Sequence, residues 1–382
     1  MAKNLDIRGV TPHEDIQVFI TRCRRYLNKL YYHKSSGLSP LPMQPPQLRN
    51  LAIDFLSRPG NSPEDIILDS PSFNGILGRC NHLNRVSLKN FDFHRWHSFL
   101  GYLPHTMTEI DVFNEGFVEN YGNPDAATHI DLSRFINLRA LTLVNFTSRN
   151  ILCVNKPVLH IRGMKMLGKL THLRLHGDMW IEQLENIRNL EHVYIKQNIN
   201  LQIDITTLVK NNDRLQYLAL SNIVDLPTPA LNAISTLRNL QSLVFISLSS
   251  GARAREGAGL VDLSPDRMTG MKNLKYLHFA YVNRIPKETL HRIIINSPKL
   301  QRVDVHKNFP GQNVQMIEAM EKGSVNRTSE ARLQIFVGCD GLKKAKRLKN
   351  IPPYIVLDDV PQYEKLPSEH DFWHRWWTED QY

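Results

Sequence analysis

The stretch Leu190-Glu191-His192-Val193-Tyr194-Ile195-Lys196-Gln197-Asn198 carries apolar residues at relative positions one, four and six. The same spacing returns at Leu215 and again at Leu240, an interval of 25 residues each time. Because neighbouring side chains on a strand point to opposite faces, positions four and six share one face. The pattern therefore predicts a short strand that buries one face and follows a turn closed by the residue at position one.

This spacing occurs throughout the chain, at intervals of 20 to 35 residues. Its ten starting residues are Leu48, Leu83, Met107, Leu138, Leu170, Leu190, Leu215, Leu240, Leu274 and Leu300. One such unit cannot bury its apolar edge alone, so consecutive units should stack and share a core. The layout resembles a leucine-rich repeat, which implies an α/β solenoid, or horseshoe, with strands on its concave wall. Leu333 would begin a degenerate closing strand.

Helices are predicted at two kinds of position. Residues 180–187 and 290–295 lie between strand patterns, are amphipathic, and should form helices on the convex side. Near the start of the chain, Thr11 and Glu14 form a capping box, which marks the beginning of a helix. Apolar residues then recur at intervals of three and four as far as Leu30, so this helix should bury one apolar stripe.

The strand pattern divides the chain into three parts. Residues 1–47 should hold the N-terminal helical segment and a proline-rich loop, and residues 48–338 the solenoid. Residues 339–382 combine a basic run, a proline-rich stretch and an aromatic end. Residues 371–377 hold three of the five tryptophans, a density that favours docking over disorder. This end is expected to be an aromatic C-terminal cap on the last repeat, or else a linear motif that binds another protein.

The net charge, the apolar runs and the cysteines of the sequence indicate which partners and which cellular compartment to expect. The formal net charge of +10 is spread along the chain, which makes nucleic-acid binding a secondary alternative. The first residues lack the apolar core of a signal peptide, and no run approaches the roughly 18 apolar residues of a membrane span. The four cysteines form no C-x-x-C pair. We therefore expect a reduced protein without a membrane segment in the cytoplasm, or in the nucleus if the basic run at residues 341–349 is an import signal.

The sequence contains none of the catalytic motifs that we searched for. It contains no glycine-rich phosphate loop, no H-E-x-x-H and no G-x-S-x-G. His172 and His176 should share a strand face, but no cysteine or carboxylate completes a metal-ligand set at a suitable spacing. We therefore expect no enzymatic activity, no cofactor and no metal.

Binding is the function that the predicted architecture favours. The third, fifth and seventh positions of each pattern should point away from the core, onto the concave face. In the middle of the chain these positions concentrate His, Arg and Tyr, residue types that often dominate binding energy. The alternative is an ordinary hydrophilic sheet face without a ligand. The candidate residues for gripping a protein segment are His172, Arg174, His176, His192, Tyr194, Lys196, Tyr217, Val244 and Ile246.

The predicted N-terminal helix carries a second resemblance. Residues 19–27 are similar to the box Leu-x-x-x-Cys-x-x-x-aliphatic that binds Elongin, with Phe19, Cys23 and Leu27 at the three marked positions. Together with the repeats, this resembles the Zyg-eleven-type substrate receptors of Cullin-2 and Elongin ubiquitin ligases. The resemblance implies that the helix recruits Elongin C and Cullin-2 while the repeats hold a substrate. The alternatives are a helix that only caps the first repeat, and a scaffold or assembly subunit with no role in ubiquitin transfer.

Overall fold

Parallel strands dominate the fold, which is α/β with few helices. The computed structural model describes residues 4–6, 26, 28–33, 47–54, 80–89, 100–114, 128–145, 159–177, 179–197, 204–221, 226, 228–246, 271–280, 287–305, 333–336 and 355–358. The chain forms two compact units, Met1–Asn212 and Asp213–Tyr382. Among the described residues, no helix is both long enough and apolar enough to cross a membrane.

The first unit contains two parallel sheets. Its strands are β1 (Asn4–Asp6), β2 (Lys29–His33), β3 (Asn50–Asp54), β4 (Arg85–Lys89), β5 (Glu109–Asn114), β6 (Thr128–Asp131), β7 (Ala140–Asn145), β8 (Leu159–Arg162), β9 (His172–Gly177), β10 (Met179–Ile181) and β11 (His192–Gln197). The main sheet has the order β1-β2-β3-β4-β5-β7-β9-β11, and the small sheet the order β6-β8-β10. Short 3₁₀ helices at Met164–Met166 and Leu184–Asn186 follow β8 and β10, and helix α1 spans Ile205–Lys210.

The second unit continues the same arrangement of strands. Its strands are β12 (Tyr217–Ser221), β13 (Ser242–Ile246), β14 (Tyr276–Ala280), β15 (Arg302–Asp304), β16 (Leu333–Phe336) and β17 (Ile355–Asp358), and each pairs in parallel with the next along the chain. Two helices, α2 (Thr228–Ser235) and α3 (Lys287–Asn296), lie between strands in the sequence. The helix predicted at residues 290–295 is therefore confirmed as part of α3.

A repeated backbone hydrogen-bond pattern sets the register. The carbonyl of Asn84 accepts from the backbone N–H groups of both Thr108 and Glu109, at 2.7 and 3.0 Å. In the next pairing, the carbonyl of Thr108 accepts from Arg139 and Ala140, at 2.7 and 3.1 Å. The same paired contact precedes nine strands, β3, β4, β5, β7, β9, β11, β13, β14 and β15, so their equivalent sequence positions lie opposite each other. A slip by one residue would expose the apolar side chains to water.

The core follows the predicted spacing. Every one of the ten patterns has a described strand that begins two residues after its first apolar residue. Several position-one residues close a turn as expected. The N–H of Leu138 donates to Phe135 O at 2.9 Å, and that of Leu170 to Leu167 O at 3.0 Å. The position-four residues of the central strands form a ladder with no exposed surface, and they are Val86, Ile110, Leu141, Leu173 and Val193. Burying each contributes about 1.5–3 kcal/mol.

The sheets extend beyond the predicted limits of 48 and 338. Strand β2 contains Leu30, which the sequence pattern placed in the helical stripe, and Leu30 pairs with Leu51 of β3. That assignment of Leu30 is wrong, because the spacing Leu27-x-x-Leu30-x-Tyr32 matches the strand pattern as well as a helix. At the other end, β17 adds a strand within the predicted tail. The tryptophan-rich end lies outside the described residues, and so does the rest of the predicted N-terminal helix except for Tyr26, Asn28 and Lys29.

The small sheet replaces a predicted helix. The amphipathic pattern of residues 180–187 predicts a helix, but β10 and a 3₁₀ helix occupy this stretch. Only 20 residues separate Leu170 from Leu190, and a strand rises more than twice as far per residue as an α-helix. The short segment therefore spans the distance as a strand and pairs with β8, whose Ile161 lies opposite Ile181.

Candidate binding face of the first unit

The register brings predicted binding residues together in three rows. The name first-unit polar face is used below for one set of side chains. These side chains point away from the buried ladder, at alternate positions of β4, β5, β7, β9 and β11. Its first row is Arg85, Glu109, Ala140, His172 and His192; its second is Ser87, Asp111, Thr142, Arg174 and Tyr194; its third is Lys89, Phe113, Val144, His176 and Lys196.

Two imidazoles stack in the first row. The rings of His172 and His192 have centroids 4.4 Å apart and an interplanar angle of 17°. Burial lowers the pKa of His192 to about 3, and the neighbouring His172 adds to this effect. Burial also lowers the pKa of His172, although Glu191 acts in the opposite direction. Both rings are therefore neutral at pH 7, so the stacked pair carries no charge.

Arg174 is the fourth residue of the second row, and its guanidinium lies near two aromatic rings. Its guanidinium carbon lies 5.2 Å from the centre of the Tyr194 ring and 5.7 Å from that of Phe113. Both distances fall within the range of cation–π attraction, and such contacts are worth about 0.5–2 kcal/mol each. Tyr194 itself is only 1% exposed, whereas Arg174 is half-buried. The rings thus restrict the position of the guanidinium.

Two carboxyl groups lie beside these cations, and both resist ionisation. Glu109 Oε2 is 3.2 Å from Arg85 Nε. Burial nevertheless raises the pKa of Glu109 to about 7, against the opposing effect of Arg85. Burial also raises the pKa of Asp111, with Arg85, the Thr142 hydroxyl and Arg174 acting in the opposite direction. The anions of this face are therefore either paired or buried.

The third row is apolar in its middle and basic at its ends. Val144 is 1% exposed and His176 is 5% exposed, while Lys89, Phe113 and Lys196 are half-buried. Burial, followed by the positive charges of Lys196 and Arg174, lowers the pKa of His176 to about 3. His176 is thus a neutral packing residue at physiological pH, and the lysines carry the charge of this row.

The structure unites six of the nine predicted residues. His172, Arg174 and His176 lie directly opposite His192, Tyr194 and Lys196. The other three belong to the second unit, where they form part of strands β12 and β13. Tyr217 is 4% exposed there, and Val244 and Ile246 are half-buried.

Burial changes the role expected for three of these residues. Tyr194, Tyr217 and His176 are predicted contact residues, yet each exposes 5% or less of its surface. They pack against their neighbours instead of offering a surface to a ligand. The face also includes residues outside the predicted set, above all Arg85, Glu109, Asp111 and Phe113. They occupy the third, fifth and seventh positions of earlier patterns, so the alternation rule places them on the concave face, although the predicted binding residues come only from the later patterns.

The second unit has a buried polar cluster of its own. His278 Nδ1 lies 3.8 Å from Asp304 Oδ2, and Asp304 is 1% exposed. The guanidinium carbon of Arg302 lies 4.0 Å from the centre of the Phe336 ring. His278 and Asp304 lie directly opposite each other in the register of β14 and β15.

Comparison of the sequence with known protein families and with individual proteins gives no match. No family model matches the sequence, and no curated protein matches it significantly. Among the described residues, no three His, Cys, Asp or Glu side chains come close enough to share a metal ion. Of the predicted Elongin box, Phe19, Cys23 and Leu27 lie outside the described residues.

Proposed function

We propose that this protein is a leucine-rich-repeat solenoid that binds another protein and catalyses no reaction. Parallel strands that pair in chain order, with one strand for each of the ten sequence patterns, support the repeat assignment. In a solenoid each unit contacts its neighbours, and the row of strands offers an extended surface for binding. The buried ladder provides the stability, and the opposite face contributes half-buried side chains such as those of Arg174, Lys89 and Lys196 to recognition.

The observation that carries the binding proposal is the position of Arg174. A half-buried guanidinium between the rings of Tyr194 and Phe113 has lost much of its rotational freedom before any ligand arrives. Ordering a side chain on binding costs about 0.5–1.5 kcal/mol, so a group that is already ordered binds more tightly. Arginine is also one of the residue types that most often dominate binding energy in protein interfaces.

We further propose that the protein is a substrate adaptor of a cullin-RING ubiquitin ligase. It is supported by the similarity of residues 19–27 to an Elongin-binding box and by the repeats that follow. The box ends at Leu27, two residues before β2 begins at Lys29. A helix at this place would lead directly into the sheet, as suits a partner-binding element attached to a recognition domain. A scaffold subunit without a ubiquitin role shares the repeats but needs no such box.

Affinity purification with quantitative mass spectrometry tests the binding proposal. Lys196→Glu reverses a charge on the first-unit polar face, and we expect it to remove partners that the wild type retains. Lys165→Glu makes the same change at an exposed position outside this face and serves as the matched control. Identical partners for all three proteins would contradict a role of this face.

A separate variant tests the adaptor proposal. Cys23→Asp places a charge in the centre of the predicted box, and we expect it to remove Elongin C and Cullin-2 from the purified complex while the other partners stay. If the wild type retains neither protein, the adaptor proposal fails and the scaffold alternative remains.

A further inference from the structure

The small sheet presents a row of three ring-bearing side chains to solvent. The register places His129 of β6 opposite His160 of β8, and His160 opposite Trp180 of β10. The next residues along two of these strands, Ile130 and Ile161, are buried, so alternation puts the three rings on the other face of the sheet. His129 and Trp180 are exposed, and His160 is half-buried. These three residues are called the small-sheet row below.

The two imidazoles of the small-sheet row lie close together. Their ring centroids are 5.0 Å apart, and the ring planes are inclined by 56°. On its other side, the His160 ring has its centroid 5.2 Å from that of Trp180. Within the described part of the chain, no hydrogen bond or ion pair involves either imidazole. Their ring nitrogens are therefore accessible to a ligand.

The separation of the two rings suits a shared metal ion. Imidazole is the commonest metal ligand among side chains. A zinc–nitrogen bond is about 2.0–2.1 Å long, so two imidazoles on one tetrahedral ion have ring centroids roughly 5 Å apart. His129 and His160 already have this separation. Because His129 is exposed, rotation of its side chain can direct a nitrogen to the ion without moving the strands.

The charges beside the small-sheet row favour a cation. Two positions further along the strands, on the same face, lie Asp131, Arg162 and Glu182. Arg162 is directly opposite Asp131 in the register. Hydrogen bonds from Ser133 lower the pKa of Asp131, so this carboxylate is ionised at pH 7. Two carboxylates and one guanidinium give these neighbours a formal net negative charge.

The environment of His160 keeps its imidazole ready to bind an ion. Burial, followed by the positive charges of His129 and Arg162, lowers the pKa of His160. The ring is therefore neutral at pH 7. Since only a neutral imidazole coordinates a metal ion, His160 does not have to lose a proton first.

We propose that His129 and His160 together bind a divalent transition-metal ion, such as Zn²⁺ or Cu²⁺, on the exposed face of the small sheet. Imidazole nitrogen suits these ions, whereas Mg²⁺ and Ca²⁺ prefer oxygen ligands. The two imidazoles supply two ligands and water supplies the others, so binding is weaker than at a structural site with four protein ligands. The site lies outside the first-unit polar face and goes beyond the binding function proposed above.

Isothermal titration of the full-length protein with ZnCl₂ at pH 7, with a phosphine reductant present, tests the site. We expect the wild type to bind one equivalent that His129→Gln and His160→Gln each bind about tenfold more weakly or worse, because each loses a ligand. His105→Gln removes an exposed histidine outside the small sheet and should bind as the wild type does. His129→Cys offers a thiolate in place of the imidazole and should retain binding. Circular dichroism confirms that each variant is folded.

Trp180 reports where the ion lies. Bound Cu²⁺ quenches tryptophan fluorescence at short range, and the Trp180 ring is next to that of His160. We expect one equivalent of Cu²⁺ to quench part of the wild-type emission. Trp180→Phe should lose this part of the quenching while binding the same equivalent in the titration. His160→Gln should lose both the quenching and the binding.

Each alternative outcome is distinct. Zinc binding that is unchanged in His129→Gln and His160→Gln would overturn the proposal, and so would a wild type that binds no zinc. A loss in His160→Gln alone would assign the ion to one imidazole and overturn the shared site. Loss of binding in a folded His129→Cys protein would show that position 129 supplies an aromatic contact and no ligand. These results leave the test of the first-unit polar face unaffected.

Discussion

His172 and His192 face each other across neighbouring parallel strands, with ring centroids 4.4 Å apart and planes inclined by 17°. The two residues occupy the same position of successive sequence patterns, so the register that builds the core also creates this stack. Two protonated imidazoles at this distance would repel each other. The stack is therefore stable only in its neutral form, which links the integrity of this face to pH.

Replacing His192 should make the protein less sensitive to acid. The folded-state pKa of His192, about 3, lies below the ordinary value of 6.5. Between these two pH values the unfolded chain therefore binds a proton at this position and the folded chain does not. This contribution to stability is complete above pH 6.5 and is lost as the pH falls toward 3. Between pH 7.5 and pH 5, His192→Gln should lose less unfolding free energy than the wild type, by at most about 2 kcal/mol. Urea denaturation at both pH values measures the difference.

His105→Gln provides the matched control, because His105 is exposed. It should lose as much unfolding free energy between the two pH values as the wild type does. An equal loss in the His192→Gln protein would contradict burial of a neutral imidazole in the stack.

Replacing Glu109 should have the opposite pH dependence. Its pKa rises from 4.5 to about 7 on folding, so the folded state binds a proton more tightly than the unfolded state does. The stability associated with the protonated form is present below pH 4.5 and is lost as the pH rises through 7. Glu109→Gln keeps the size and polarity of the side chain without the charge. We expect its stability relative to the wild type to increase from pH 5 to pH 8.

Urea denaturation at pH 5 and pH 8 measures the unfolding free energy of Glu109→Gln relative to the wild type. Asp213→Asn, at an exposed position, should show no comparable gain at pH 8. A gain for Glu109→Gln that is larger at pH 5 than at pH 8 would mean that the carboxylate is stabilised by Arg85 more than it is disfavoured by burial.

Gly163 should not tolerate a side chain. It has a φ of +81°, and a Cβ atom there would lie 2.8 Å from Asp131 Oδ1 and closer still to the backbone nitrogen of Ser133. The left-handed conformation costs about 1–2 kcal/mol for alanine, and the clash with backbone atoms adds to it. We expect Gly163→Ala to lower the unfolding free energy by about 2–4 kcal/mol. At Gly168, where no atom lies within 4 Å of a Cβ, alanine should change it by less than about 1 kcal/mol.

Asn212 should be essential for the turn before β11. Its side chain is 1% exposed, accepts from the N–H of Leu190 at 2.8 Å, and donates to the carbonyls of Ile187 and Leu208 at 2.9 and 2.7 Å. Alanine would leave buried backbone groups without partners, each at a cost of about 1–3 kcal/mol. We expect Asn212→Ala to lower the unfolding free energy by roughly 3 kcal/mol.

Asn239→Ala is the control for this experiment. Asn239 is exposed and donates a single 3.3 Å bond to Asp213 O, so its loss should cost less than about 1 kcal/mol. Asn212→Asp adds a second comparison, since a carboxylate accepts from Leu190 but cannot donate to the two carbonyls. Similar costs for Asn212→Ala and Asn239→Ala would contradict the bridging role of Asn212.

The sequence predicted the strands well and the segments between them poorly. Apolar residues at positions four and six are a local signal, and a strand follows each of the ten patterns, from β3 after Leu48 to β15 after Leu300. The stretch at residues 180–187 has an amphipathic pattern that fits a helix, but the short distance to the next strand makes it a strand and a 3₁₀ helix. Leu30 fits both periods, and the partner strand β3 decides between them.

The amino-acid sequence by itself determined the ten strands that follow the apolar patterns and the side chains at positions four and six that fill their core, because alternation along a strand is a property of nearby residues. The tertiary structure alone decided that β6, β8 and β10 form a separate sheet, that Tyr194 and His176 are buried, and that Arg174 lies near both Phe113 and Tyr194. It also decided the altered pKa values of Glu109 and His192. These properties depend on desolvation and on charges contributed by neighbouring strands, and those neighbours are 20 or more residues away in the sequence.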